Sequence, residues 1–131
     1  MKLGYVMVAD GFVGFAFGSA LLWFPTFPLL LLDVETNAVG RLLVQLLGAA
    51  LLGYAVATVA GGMEEDASLF QRVMAAVRLI SESLSVVVLL LAVLRDSGNA
   101  VVWVLLVLYL VFGVGYWVLG LPVLRKKAEA E

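Results

Sequence analysis

The chain has 131 residues, of which 64% are hydrophobic and 14% charged, with a net charge of −2. Soluble domains carry about 25% charged residues, so this composition leaves almost no surface for a water-soluble fold. The small net charge implies no nucleic-acid or polyanionic partner. Cysteine and histidine are absent, which removes disulfides, thiolate and imidazole metal sites, His-ligated haem, and Ser–His and Cys–His nucleophile pairs. A metal would have to be a hard cation on carboxylates and carbonyls, and no cofactor is expected.

Four apolar segments fill most of the chain: Leu3–Phe24, Val39–Ala60, Val73–Leu94 and Ala100–Leu121. A hydrocarbon core ~30 Å thick takes about 20 apolar residues in a helix, so each segment is long enough to cross. The expected fold is all-α, a transmembrane four-helix bundle forming a single domain over residues 1–131. Lys2 and the run after it also fit a signal peptide cleaved near Gly18-Ser19-Ala20. Asp10 interrupts that run, which then continues uncut through Trp23 and Phe24, so four spans are expected.

The first span should stop at Phe24-Pro25-Thr26-Phe27-Pro28, where two prolines break a helix. Trp23, Phe24 and Phe27 suit an interfacial aromatic belt there. Leu29 to Leu32, closed by Asp33 and Glu35, is too short to span and reads as a short interfacial helix or turn. Asn37 is a suitable N-cap for the second span, which closes at Gly61-Gly62. Glu64, Glu65 and Asp66 read as a solvated loop, and Ser68-Leu69-Phe70-Gln71 matches a capping box opening the third helix. That helix is the weakest span, because its uncharged core, Ser83 to Leu94, is only 12 residues long. Arg95-Asp96-Ser97-Gly98-Asn99 should turn tightly into the fourth span, which is expected to end at Leu121-Pro122 before a basic cluster.

Lys2, Arg72, Arg125, Lys126 and Lys127 fall on the side of both termini, against Arg41 and Arg95 on the other. The positive-inside rule then places both termini in the cytoplasm of a multi-pass plasma-membrane protein. The two halves share neither polar positions nor glycine pattern, so an inverted-repeat transporter is not indicated.

Small residues recur at helix-packing intervals. Gly4, Met7, Gly11, Gly14 and Gly18 follow a 3–4 spacing with Gly14 and Gly18 as a GxxxG pair. Ala49, Gly53, Ala57 and Gly61 repeat every fourth residue, and the fourth span adds Gly113, Gly115 and Gly120. Such rows allow close approach of helices in a bilayer, within one bundle or between protomers.

Polar side chains inside the spans form the candidate site. Asp10 lies seven residues into the first span, about 10 Å below the boundary, at nearly the depth of Arg78. Glu82 follows Arg78 by one helical turn, and Ser81 and Ser85 flank them in a stripe that should face the bundle. Arg41 can snorkel, whereas Gln45 needs an internal partner. Depth matching suggests hydrogen bonds from Tyr54 to Asp10 and from Tyr109 to Glu82. These groups either satisfy one another and fix the bundle's register, or line a proton or cation pathway. A permanent cation at Arg78 beside both acids favours the first.

Phe24-Pro25, Gly40-Arg41-Leu42-Leu43, Gly48-Ala49-Ala50-Leu51-Leu52-Gly53, and Asn99-Ala100 with Trp103 together resemble short, uncharacterised four-span membrane proteins of bacteria and archaea. The resemblance covers most of the chain, implies a four-helix fold and brings no activity. Small multidrug transporters are similar in span number but carry their essential glutamate in the first span, where this chain has Asp10. Intramembrane aspartyl proteases need paired aspartates in Tyr-Asp and Gly-x-Gly-Asp settings; Asp10 sits in Val8-Ala9-Asp10-Gly11 without an intramembrane partner aspartate.

The expectation is a non-enzymatic packing or accessory subunit in the lipid bilayer, as a homo-oligomer or within a larger membrane complex. One alternative is a small transporter or ion pathway lined by Asp10, Arg78, Glu82, Gln45 and Tyr109. Another is a lipid- or quinone-binding module built on Trp103, Tyr109, Phe112, Tyr116 and Trp117.

Overall fold

The computed structural model describes residues 2–64, 68–95 and 99–128. It is an all-α bundle of helices α1 (Leu3–Trp23), α2 (Thr26–Leu31), α3 (Ala38–Met63), α4 (Leu69–Leu94), α5 (Ala100–Gly115) and α6 (Leu121–Ala128), with a π-helical segment (Tyr116–Gly120) joining the last two. Helices α1, α3, α4 and the continuous rod Ala100–Arg125 are each long and apolar enough to cross a membrane. The protein is thus a multi-pass membrane protein whose spans alternate in direction. Leu3, Ala75 and Gly120 meet at one end, so the first and last helices reach the same side. Glu65, Asp66 and the turn residues Asp96, Ser97 and Gly98 lie outside the described residues, as do the side chains of Lys126 and Lys127.

Local chemistry sets the boundaries. Phe24, just before Pro25, leaves helical geometry at φ −131° and ψ 56°, because the proline ring disfavours α conformation in the residue ahead of it. Pro28 sits in the first turn of α2, where its missing N–H would have had no helical partner. Asp33 adopts φ 53°, and the N–H groups of Asp33 and Val34 return to the carbonyls of Leu30 and Leu29 at 3.1 and 2.9 Å. This is a Schellman closure with aspartate in the place usually taken by glycine. Side-chain caps open the three following spans. Asn37 Oδ1 accepts from Gly40 N at 2.8 Å, Ser68 Oγ from Gln71 N at 3.1 Å, and Asn99 Oδ1 from Val101 N and Val102 N at 3.1 and 3.2 Å. The Asn99 amide also donates to the Leu31 carbonyl at 2.8 Å, tying α2 to the start of α5.

The fourth span does not end at Pro122. The Leu121 N–H donates to the carbonyl of Tyr116, five residues back, and the helix continues through the proline to Ala128. In a regular α-helix the Pro122 ring would meet the carbonyl four residues earlier. The wider π turn accommodates it and swings Tyr116 into the bundle.

The tightest contact joins α1 to α3. Gly4 faces Gly62, Gly11 faces Ala55, and Gly18 faces Gly48, so small residues seven apart on each helix meet in antiparallel register. A Cβ built on Gly4 would lie 2.5 Å from the Gly62 carbonyl oxygen, and one on Gly48 would lie 2.8 Å from that of Gly18. Gly14 joins the same seam at 3.4 Å from Ala55 Cβ. The expected row Ala49, Gly53, Ala57, Gly61 does not form one contact face. Ala49 is exposed, and a Cβ on Gly53 would meet no atom within 4 Å. Ala57 packs on the core, and Gly61 meets Met7 and Met74. The cause is helical phase. Four-residue steps rotate about 40° each at 3.6 residues per turn, so the row winds away, whereas seven-residue steps drift only ~20°.

The apolar core of Leu3, Val6, Met7, Met74, Ala75 and Tyr116 lies in the half of the bundle that holds the chain ends. Elsewhere large apolar side chains such as Phe12, Val56, Leu84 and Val104 point outward, as lipid contact requires. Gly48→Leu should therefore lower stability in detergent by about 1–3 kcal/mol through overpacking, while Gly53→Leu should stay within ~0.5 kcal/mol of wild type. Equal losses in the two variants, read from thermal midpoints, would contradict the seven-residue seam.

Candidate functional site

Asp10 on α1, and Arg78 and Glu82 on α4, are 3%, 8% and 1% exposed. The register of α1 against α3 turns Asp10 away from the glycine seam and toward α4 and the π segment. Arg78 Nη2 pairs with Asp10 Oδ2 and lies 2.8 Å from Glu82 Oε1. Tyr116, with no exposed surface, donates its hydroxyl proton to the same Asp10 oxygen at 2.7 Å. The Arg78 guanidinium carbon lies 4.9 Å from the Tyr54 ring centroid and 5.8 Å from that of Tyr116, within cation–π range. Every span therefore contributes to one centre: Asp10 from the first, Tyr54 from the second, Arg78 and Glu82 from the third, and Tyr116 from the fourth.

Two expected hydrogen bonds are not made. Tyr54 presents its ring to Arg78, and its buried hydroxyl has no hydrogen-bond partner in the protein, so Tyr54 does not bond Asp10. Tyr109 is half-buried and lines a cavity beside Glu82 but forms no hydrogen bond with it. The phenol that reaches a carboxylate is Tyr116. Its depth matches that of Asp10 when residues are counted back from Pro122, a signal present in the sequence; the π turn that aims it inward is not.

Ser81 and Ser85 are half-buried, and neither bonds to the charged groups. The serine that links helices is Ser83, whose hydroxyl donates to Leu79 O at 2.7 Å and accepts from Trp117 Nε1 at 3.1 Å. Trp117 is thus anchored to α4 while half its surface stays exposed. Gln45 does not enter the centre. Its amide donates to the Leu22 carbonyl at 3.2 Å, satisfying a group at the end of α1, and Arg41 stays exposed. Gly113 is buried, with its Cβ position 3.8 Å from Glu82 Cβ, which brings the fourth span close to the acid.

Chemically, the centre is one guanidinium between two carboxylates, with a phenol on one of them and aromatic rings beside the cation. Among the described residues no group of three potential metal-ligating His, Cys, Asp or Glu side chains is present. Compared with protein-family models, with curated proteins and with solved structures, the chain shows no match.

The two tyrosines separate hydroxyl from ring. Tyr116→Phe removes a hydrogen bond to an ionised partner and should cost about 1.5–3 kcal/mol, or nearer 0.6 kcal/mol if it follows the average for helix-linking bonds in membranes. Tyr54→Phe keeps the ring and loses an unbonded hydroxyl, so its stability should match or exceed that of wild type. Unfolding in a denaturing detergent measures both, and a larger loss for Tyr54→Phe would refute this assignment.

Proposed function

We propose that the protein works by helix packing: a non-enzymatic accessory subunit of the plasma membrane, as a homo-oligomer or within a larger complex, with both termini in the cytoplasm. One observation carries this reading. All four spans converge on Arg78, so the buried charged groups Asp10, Arg78 and Glu82 are engaged in holding the bundle together. Removing one member of such a buried pair costs about 3–5 kcal/mol, a scale that suits a structural tie. Many large apolar side chains point outward, and Gly53 and Ala49 leave part of α3 with little relief, a face that a neighbouring helix could approach closely.

A second reading, a small transporter or ion pathway, draws support from the cavity beside Asp10, Arg78, Glu82 and Tyr109. Native mass spectrometry of protein extracted from its own membrane in mild detergent separates the two. Reproducible co-isolation with other subunits, or a symmetric homo-oligomer, is the expected outcome. The chain lacks cysteine, so Gly53→Cys gives a single cross-linking site, and a disulfide dimer there would locate a contact between copies. A lone monomer showing cation flux in liposomes that Glu82→Gln abolishes, with the fold intact, would overturn the packing role. Under that role Glu82→Gln changes stability instead. A lipid or quinone retained through purification would favour a binding module on the fourth span.

A further inference from the structure

The close approach of α1 and α3 leaves a trough on the outer surface of that pair. Gly4 lies against Gly62 at the crossing, and without a side chain on either, the crossing forms a floor between taller walls. Lys2, Tyr5, Val8 and Ala9 of α1 and Met63 of α3 complete the lining. The trough encloses about 470 Å³, within the ~300–1,000 Å³ of ordinary ligand sites. Tyr5 and Met63 are 67% and 78% exposed, so the trough opens toward the surrounding lipid and not into the bundle.

Its lining changes character with depth. Lys2, Tyr5 and Ala9 are spaced three and four residues apart, so they share one face of α1 and descend about 10 Å from the helix start. A cation comes first, then a phenol, then small and apolar side chains. A phospholipid presents phosphate, glycerol esters and acyl chain in the matching order. Tyrosine suits the middle position, since its ring is apolar and its hydroxyl bonds at the headgroup boundary. Over that length the volume corresponds to a channel roughly 7 Å wide, narrower than a helix with its side chains, so an acyl chain fits better than a helix from a second copy.

Charge at the mouth narrows the headgroup. Lys2 is exposed there, and Glu64, also exposed, follows Met63 directly. A cation and a carboxylate thus flank the two walls. A headgroup with both a phosphate and an N–H-bearing ammonium answers both, through charge-assisted hydrogen bonds. A purely anionic headgroup meets Glu64 with like charge, and choline has no N–H to donate.

We propose that the α1–α3 trough is a site for one phospholipid with a phosphoethanolamine headgroup: phosphate on Lys2, ammonium on Glu64, and an acyl chain along Tyr5, Val8 and Ala9. The site is separate from the aromatic fourth span and uses no group of the charge centre, so it goes beyond the packing role and does not depend on it.

Native mass spectrometry tests this by titrating the purified protein in mild detergent with lipids of identical acyl chains and ethanolamine, choline or glycerol headgroups. One ethanolamine lipid should be retained saturably, roughly tenfold tighter than the other two, the difference expected for one hydrogen bond to a charged group. Glu64→Ala should remove the preference over choline, and Lys2→Ala should weaken all three lipids. Ala9→Phe fills the trough, leaves both charges in place and should lose the bound lipid. All three positions are exposed, so thermal midpoints should stay at the wild-type value and a lost lipid is not a lost fold. Adducts that never saturate and follow no headgroup order would be annular lipid only and would overturn the site. A retained lipid unchanged in Ala9→Phe would overturn it too. So would a wild-type oligomer without lipid that Ala9→Phe converts to monomer, which would make the trough a contact between copies. The same spectra report subunit composition, so failure of the lipid site and failure of the packing role are told apart.

Discussion

A guanidinium inside a hydrocarbon layer cannot be left to itself, and the position of Arg78 constrains much of the molecule. Its charge is met by Asp10 from another span and by Glu82 one turn away, while Tyr54 and Tyr116 offer it their ring faces. Helices in a bilayer gain little from hiding apolar surface, because lipid tails are as apolar as leucine. A shared charge centre supplies what that environment lacks: an attraction that depends on depth and rotation. Sliding α1 by one turn against α4 would separate Asp10 from Arg78 and leave a buried charge without that partner.

The glycine seam performs the complementary task. Gly4, Gly11 and Gly18 against Gly62, Ala55 and Gly48 bring α1 and α3 close enough for backbone to touch backbone, where dispersion contacts are dense and side-chain entropy is not at stake. The seam fixes α1 on α3 but says little about the other pair. The α4 contacts with α5 and the π segment, including Ser83–Trp117 and the approach of Gly113 to Glu82, build a second unit. The charge centre lies between the two. Packing holds each pair, and the apolar core of Leu3, Val6, Met7, Met74, Ala75 and Tyr116 joins the pairs together with the charge centre.

The π turn at Tyr116–Gly120 links backbone chemistry to that centre. Proline at 122 cannot donate and crowds the turn before it. The resulting five-residue hydrogen bond from Leu121 to Tyr116 goes with the rotation that delivers a phenol to Asp10. Such widened turns recur where a helix must place one side chain out of ordinary phase.

The sequence by itself determined the four spans, their approximate limits and the caps at Asn37 and Ser68. Each depends on local quantities: apolar run length, proline geometry, or a side chain reaching its own next turn. Asp10, Arg78 and Glu82 were also visible as polar exceptions in apolar runs. Which phenol would serve Asp10, which serine would bridge helices, and that Pro122 would be passed rather than obeyed were decided only by the tertiary structure. The same holds for the choice of Gly48, Ala55 and Gly62 over Ala49 and Gly53 as the contact face. Depth along a helix follows from counting residues, but the direction a side chain faces depends on accumulated helical phase. A single π turn, or the drift between four-residue and seven-residue steps, is enough to change which side chains meet.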